Sequence, residues 1–234
     1  MARMPRSARF VVPGVAHHIT QRGTDRQTVF HSRADRLTYL HLLRQQASLG
    51  NLSILAYCLM SNHIHLVAVP EQEAALAEVM QSVHGRYAQY LNARRGRCGR
   101  LWQNRFSSCA LGPKHLWAAL RYVELNPVRA SLAATPREYP WSSAEAHLSG
   151  EDLWRIADMR FWSESGGAER WRVMLSQGDG EAEAQTLRRA TYSGQPFGDE
   201  EFVEALRRQR EKARASGGQA PTRPSAAALV LAAH

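Results

Sequence analysis

At 234 residues and 44% apolar content, the chain can bury one sizeable domain and carry a smaller appendage. Its net charge of +9 and pI near 10.1 put a polyanion first among partners, and no apolar run approaches the roughly 20 residues that cross a bilayer, so no membrane partner is expected. Three cysteines, Cys58, Cys98 and Cys109, form no CxxC pair, which argues against a zinc ribbon or a disulfide framework and for a reducing, cytoplasmic setting.

Residues 1–9 carry Arg3, Arg6 and Arg9 and no acid. They read either as a basic arm for a phosphate backbone or as a solubilising tail. They lack the apolar core of a signal peptide. Residues 14–20 predict a first strand, with His17 and His18 on opposite faces, so that one of them can approach a neighbouring strand. Arg22, beside Gly23 in the following turn, is a candidate phosphate contact. A helix is predicted over 33–49, capped by Ser32 and ended by Gly50.

Two strands follow, over 53–60 and 63–69, separated by Ser61-Asn62. His63 and His65 share one face of the second strand, and Ile64 points the other way into a core. Two imidazoles on one face of a buried strand need a partner, either a divalent cation or hydrogen bonds within the core. A long helix over 73–93 has Leu76, Val79, Met80, Val83, Tyr87 and Leu91 as its buried stripe. The run from Arg94 to Arg105 then holds Arg94, Arg95, Arg97, Arg100 and Arg105 with two glycines, Trp102 and no acid. Guanidinium groups and an aromatic ring on a pliable backbone suit nucleic acid, and the plainer reading is a solvated loop.

A fourth strand is predicted over 106–111 and a helix from Pro113 to about Leu125, ended by Asn126-Pro127. Strand, helix, strand, strand, helix, strand is the split βαβ order. It implies an α+β fold, a ferredoxin-like antiparallel sheet with helices on one face, plus a small helical C-terminal extension. Residues 1–150 form the expected main domain. The extension covers 151–212, with a linker at 176–184, a turn-rich lead-in at 191–198 and an amphipathic helix at 199–212. A disordered tail is expected over 213–234.

Tyr122 and Asn126 stand four apart on one face of the helix after the fourth strand. If that helix packs beside the strand bearing His63 and His65, Asn126 adds an oxygen ligand and Tyr122 lies one turn from the cation. Two imidazoles and an amide oxygen suit Mg²⁺ or Mn²⁺ acting on a phosphodiester, which a positioned phenol can attack. Otherwise Tyr122 is an ordinary core aromatic.

Five motifs in order carry a resemblance. They are His17-His-Ile-Thr-Gln-Arg-Gly23, Tyr57-Cys-Leu-Met-Ser-Asn-His-Ile-His-Leu-Val67, Trp102-Gln-Asn-Arg-Phe106, Arg121-Tyr-Val-Glu-Leu-Asn-Pro-Val-Arg-Ala130 and Trp141-Ser-Ser143. Over residues 9–147 the chain resembles the REP-associated tyrosine transposases of the single-tyrosine HUH superfamily, and residues 194–202 resemble the C-terminal extension of many of them. The resemblance implies a nuclease-like HUH fold, a divalent metal on His63, His65 and Asn126, and Tyr122 as nucleophile. It implies DNA transposition through cleavage and rejoining of single-stranded DNA at palindromic hairpins, through a 5′-phosphotyrosine. Relatives differ in sharing active sites across a homodimer or working alone, and both states stay open. The competing expectation is a non-catalytic regulator derived from a transposase that binds hairpin DNA. A metal-dependent hydrolase of small phosphate esters would leave the basic stretches unexplained.

Overall fold

The computed structural model describes residues 11–178 and 180–215. The arm bearing Arg3, Arg6 and Arg9 and most of the expected tail lie outside the described residues. The elements are β1 (His17–Arg22), α1 (Arg33–Leu49), β2 (Leu52–Leu59), β3 (His63–Pro70), α2 (Ala75–Arg94), β4 (Ser107–Ala110) and α3 (Pro113–Arg129). Five further helices follow: α4 (Ala144–Ser149), α5 (Met159–Glu164), α6 (Gly167–Ser176), α7 (Glu181–Ser193) and α8 (Glu200–Ala215).

The four strands pair antiparallel in the order β2-β3-β1-β4, the ferredoxin-like arrangement expected from the element order. Period-two alternation divides β3 between two cores. Ile64, Leu66 and Ala68 meet α1 and α2 in one cluster, whereas Val67 joins α3, Trp162 and Trp171 in the other. The first two helices therefore share one face, as the pattern implies. The strand-helix order does not specify what covers the other face, and α3, α6 and α7 do so. Both sheet edges are covered by the chain itself: β2 pairs with segments at Ser142 and Ala157, and β4 with Phe197.

Several boundaries differ from the sequence expectation: β1 spans His17–Arg22 rather than 14–20, so Arg22 ends the strand instead of lying in the turn after it. Helix α3 runs through Pro127 to Arg129 rather than ending before it. Proline deletes only the bond that its own nitrogen would give to Val123, and the ladder resumes with the Ala130 nitrogen donating to the Asn126 carbonyl at 3.0 Å. Helix α7 takes up the end of the expected linker, the start of the lead-in and the stretch between them, and its small stripe of Ala184, Leu187, Ala190 and Thr191 is buried. It ends at Gly194, whose φ of 71° suits a residue without a side chain and turns the chain back along β4. Helix α8 continues to Ala215, past the expected end at Lys212.

Helix α1 starts in a capping box, with the Ser32 Oγ accepting from the Asp35 nitrogen and Asp35 Oδ2 accepting from the Ser32 nitrogen. Asp35 is 2% exposed. Burial alone would raise its pKa, but hydrogen bonds from Ser32, His31 and Tyr90 outweigh that and hold it below the usual carboxylate range. A depressed carboxylate stabilises the fold above its unfolded-state pKa, and that contribution disappears as the pH falls through the folded-state value. Asp35→Asn should therefore cost about 1 kcal/mol at neutral pH. In urea melts the gap from wild type should close below about pH 4. A gap that persisted into acid would show that the carboxylate charge is not its source.

Candidate active site

The register of the sheet builds the site. Residue His65 faces Thr20 across β1 and Cys58 across β2, and His63 faces Arg22. Their side chains share the sheet face covered by α3, and the rings lie 4.9 Å apart between centroids. Tyr122, on α3, sets its ring edge-on to His65 at 5.4 Å. The imidazoles and the phenol thus come together within one chain. Because α3 continues through Pro127, Asn126 stays one turn from Tyr122, and its Nδ2 donates to the Tyr122 carbonyl at 2.9 Å. That engages the nitrogen end of the amide and leaves Oδ1 as the end able to accept a cation.

The β1 histidine on this face, His18, joins the site. It was one of two candidates to approach the pair, and the alternation of β1 selects it over His17, which bonds the Val15 carbonyl at 2.8 Å. The His18 ring stacks on His65 at 5.2 Å, with its Nε2 3.0 Å from His65 Nδ1. Its Nδ1 lies 2.7 Å from the Thr191 hydroxyl, which donates to the Leu187 carbonyl at 2.8 Å. The direction of the last bond orders the chain. Thr191 accepts from His18 Nδ1–H, His18 Nε2 accepts from His65 Nδ1–H, and His65 Nε2 keeps its lone pair. His63 is fixed similarly, its Nδ1 lying 2.6 Å from Asn62 Oδ1.

Burial drives all three imidazoles towards neutrality. The pKa of His18 falls to about 3 by burial, and that of His63 to about 4 by burial and the Arg22 charge. His65 is held well below the usual histidine range by burial and by its neighbouring histidines. Neutral imidazoles with Nε2 lone pairs and an amide oxygen are donors that a divalent cation accepts. Among the described residues no group of three or more His, Cys, Asp or Glu is placed to hold a metal ion, so a cation held by His63 and His65 would need a donor of another type, for which Asn126 is the candidate.

Two arginines bracket the nucleophile candidate. Arg129 donates to the Tyr122 carbonyl at 2.8 Å, with its guanidinium 4.4 Å from the ring centroid. Arg188, on α7, donates from Nε to the Tyr122 hydroxyl at 3.1 Å. Sequence reading missed Arg188, which falls between the expected linker at 176–184 and the lead-in at 191–198 and was given no element; the small apolar stripe of α7 was the available signal.

The basic residues divide. Arg22 is half-buried beside His63, and its Nε is buried without a hydrogen-bond partner. Arg95, Arg97, Arg100 and Arg105 are exposed. Arg94 turns to the Tyr90 hydroxyl at 2.7 Å and to Asp35 at 3.4 Å. Trp102 is half-buried rather than an open platform: its indole N–H bonds the His84 carbonyl, and its ring packs 4.7 Å from His84. Gly23 serves packing more than pliability, since a Cβ there would meet the Gln27 carbonyl at 2.5 Å.

No described helix is long and apolar enough to cross a membrane. No curated protein matches the chain. The family model described as "Transposase IS200 like" matches residues 11–126, a span that holds His63, His65, Tyr122 and Asn126. Among solved structures, a REP-associated tyrosine transposase bound to a REP hairpin superposes with a TM-score of 0.51 at 17% identity, covering 62% of this chain and 86% of that one. That likeness shows the shared fold. A candidate transposase from Deinococcus radiodurans R1 covers 55% of this chain and 92% of its own, at 17% identity and a TM-score of 0.35, too slight to carry an argument. The match over the sheet and as far as Asn126, together with the fold it predicts, identifies the chain as a member of the IS200-like transposase family.

Proposed function

We propose that this protein cleaves and rejoins single-stranded DNA beside a palindromic hairpin, in the cytoplasm, through a covalent bond between Tyr122 and a 5′ phosphate. The observation that carries the reading is the convergence of the Tyr122 phenol on the neutral His63–His65 pair within one chain. His63, His65 and Asn126 would hold Mg²⁺ or Mn²⁺, which when bound draws charge from the oxygens of the scissile phosphate. Tyr122 Oη forms a bond to phosphorus as the bond from phosphorus to the 3′ oxygen breaks. The phenolic proton is lost and the 3′ oxygen takes one up. The 5′ phosphate then sits on Tyr122, and attack by a free 3′ hydroxyl reverses the step, so the bond energy is conserved.

The test is incubation with labelled hairpins taken from the DNA flanking the gene, in Mn²⁺, followed by a denaturing gel. Wild type should form a covalent adduct. His63→Ala should lose the adduct and keep hairpin affinity; parallel loss of both would mean that the histidines serve only the fold. One observation favours the non-catalytic regulator: Tyr122 is 4% exposed. Hairpin binding without an adduct in any metal would select that reading.

The exposed arginines after α2 are the proposed DNA grip. Replacing Arg95, Arg97 and Arg100 together with alanine should reduce the salt slope of hairpin binding by about 0.7 to 0.9 per lost phosphate contact. Arg94→Ala should change it less, because that side chain is engaged with Tyr90 and Asp35. An unchanged slope in the triple variant would move the grip elsewhere.

A further inference from the structure

We propose that Arg188 is a catalytic residue of this site, holding the Tyr122 hydroxyl and lying against the phosphate that Tyr122 attacks. The proposal rests on Tyr122 being the nucleophile. It assigns a chemical role to α7, which lies wholly outside the span matched by the family model.

The geometry supplies the argument. Arg188 Nε donates to Tyr122 Oη at 3.1 Å, and its Nη1 donates to Glu181 Oε1 at 3.3 Å, so two bonds fix the plane of the guanidinium. Its carbon lies 5.5 Å from the centroid of the Tyr122 ring. Glu181 begins the helix two turns before Arg188, and three residues after it Thr191 anchors His18 and through it His65. Helix α7 thus touches the nucleophile and the imidazole beside it from one rigid element, and a guanidinium carried on such an element is held in place before substrate arrives.

Exposure gives the second argument. Tyr122 is 4% exposed, whereas the Arg188 side chain is 37% exposed. A phosphate that reaches Oη from solvent comes alongside this guanidinium. Because Nε–H already occupies a lone pair on Oη, the phenolic hydrogen points elsewhere and the hydroxyl is held in one orientation. As the Oη–phosphorus bond forms and the bond to the 3′ oxygen breaks, charge gathers on the non-bridging oxygens. The planar fork of arginine suits those oxygens, and a lysine ammonium supplies the charge without the fork.

Arg188→Gln and Arg188→Lys test this in the full-length protein, with single-turnover adduct formation, hairpin affinity and thermal midpoint read together. Arg188→Gln should slow adduct formation by about 100-fold while affinity and midpoint stay near wild type, and Arg188→Lys should recover part of the rate. An Arg188→Gln variant as fast as wild type would overturn the proposal; a faster one would overturn it in favour of α7 as a cap over the phenol. Fluorine NMR of fluorotyrosine-labelled protein, with the Tyr122 signal assigned by its absence in Tyr122→Phe, reads the contact without turnover. That signal should move in Arg188→Gln, and an unmoved signal would sink the contact. No wild-type adduct with any flanking palindrome would instead sink Tyr122 as nucleophile, leaving the fluorine result to judge whether Arg188 holds the hydroxyl.

Discussion

Tyr122→Phe should abolish the covalent DNA adduct, a loss on the order of 10⁴-fold or more, while the fold and hairpin affinity persist. The substitution removes the attacking oxygen and little else. The ring keeps its edge contacts with His18 and His65 and its place beside Arg129. The one hydrogen bond lost is that from Arg188, worth about 1 kcal/mol. Other tyrosines offer no substitute. Tyr39, Tyr57 and Tyr87 are fully buried, and burial raises their phenols far above the usual range. The Tyr139 hydroxyl donates to the Leu59 carbonyl, and burial pushes its pKa to about 12. Tyr192 is 58% exposed and makes the natural control: Tyr192→Phe should leave the adduct intact.

Glu124→Ala should be the most destabilising single change near the site, costing about 3 to 5 kcal/mol in urea or thermal melts. Glu124 is two residues from the nucleophile on α3 but turns to α4 and α6 rather than to His63 and His65. Its carboxyl is fully buried and accepts from the Ser143 hydroxyl, His147 Nδ1 and the Trp171 indole at 2.5, 2.5 and 2.7 Å. Removing it orphans three buried donors on α4, α6 and the turn before α4, the elements that seat the C-terminal helices. Glu124→Gln, which keeps an acceptor oxygen, should cost less. A loss below about 1 kcal/mol in the alanine variant would mean that water or a shifted side chain replaces the carboxyl.

Much of this was legible in the residues. Period-two alternation put His63 and His65 on one face, and the helical i, i+4 relation joined Tyr122 to Asn126; both depend on local geometry that sequence states directly. The split βαβ order carried the sheet topology for the same reason. What escaped depends on long-range contact. Pro127 reads as a stop, yet the packing of α3 against β2 and β3 holds the helix through it. Helix α7 has only Leu187 among small residues on its buried stripe, too weak a period beside Gly178 and Gly180, so Thr191 and Arg188 were invisible as site residues. Trp102 and Arg94 lie in a run whose charge suggested solvent and nucleic acid, but the indole turns to His84 and the guanidinium to Asp35, partners that are distant in sequence. Composition reports the charge of a stretch, and only the fold reports which of its side chains are already engaged.

The central claim is most directly tested by mass spectrometry of the protein after incubation with hairpin DNA and Mn²⁺ and digestion with nuclease and trypsin. Cleavage after Arg121 and Arg129 releases the peptide Tyr122–Arg129, which holds a single tyrosine. In wild type this peptide should carry a nucleotide mass on Tyr122, and in His63→Ala it should lose it. Nicked DNA with the peptide unmodified, or a nucleotide on any other tyrosine, would contradict Tyr122 as the nucleophile.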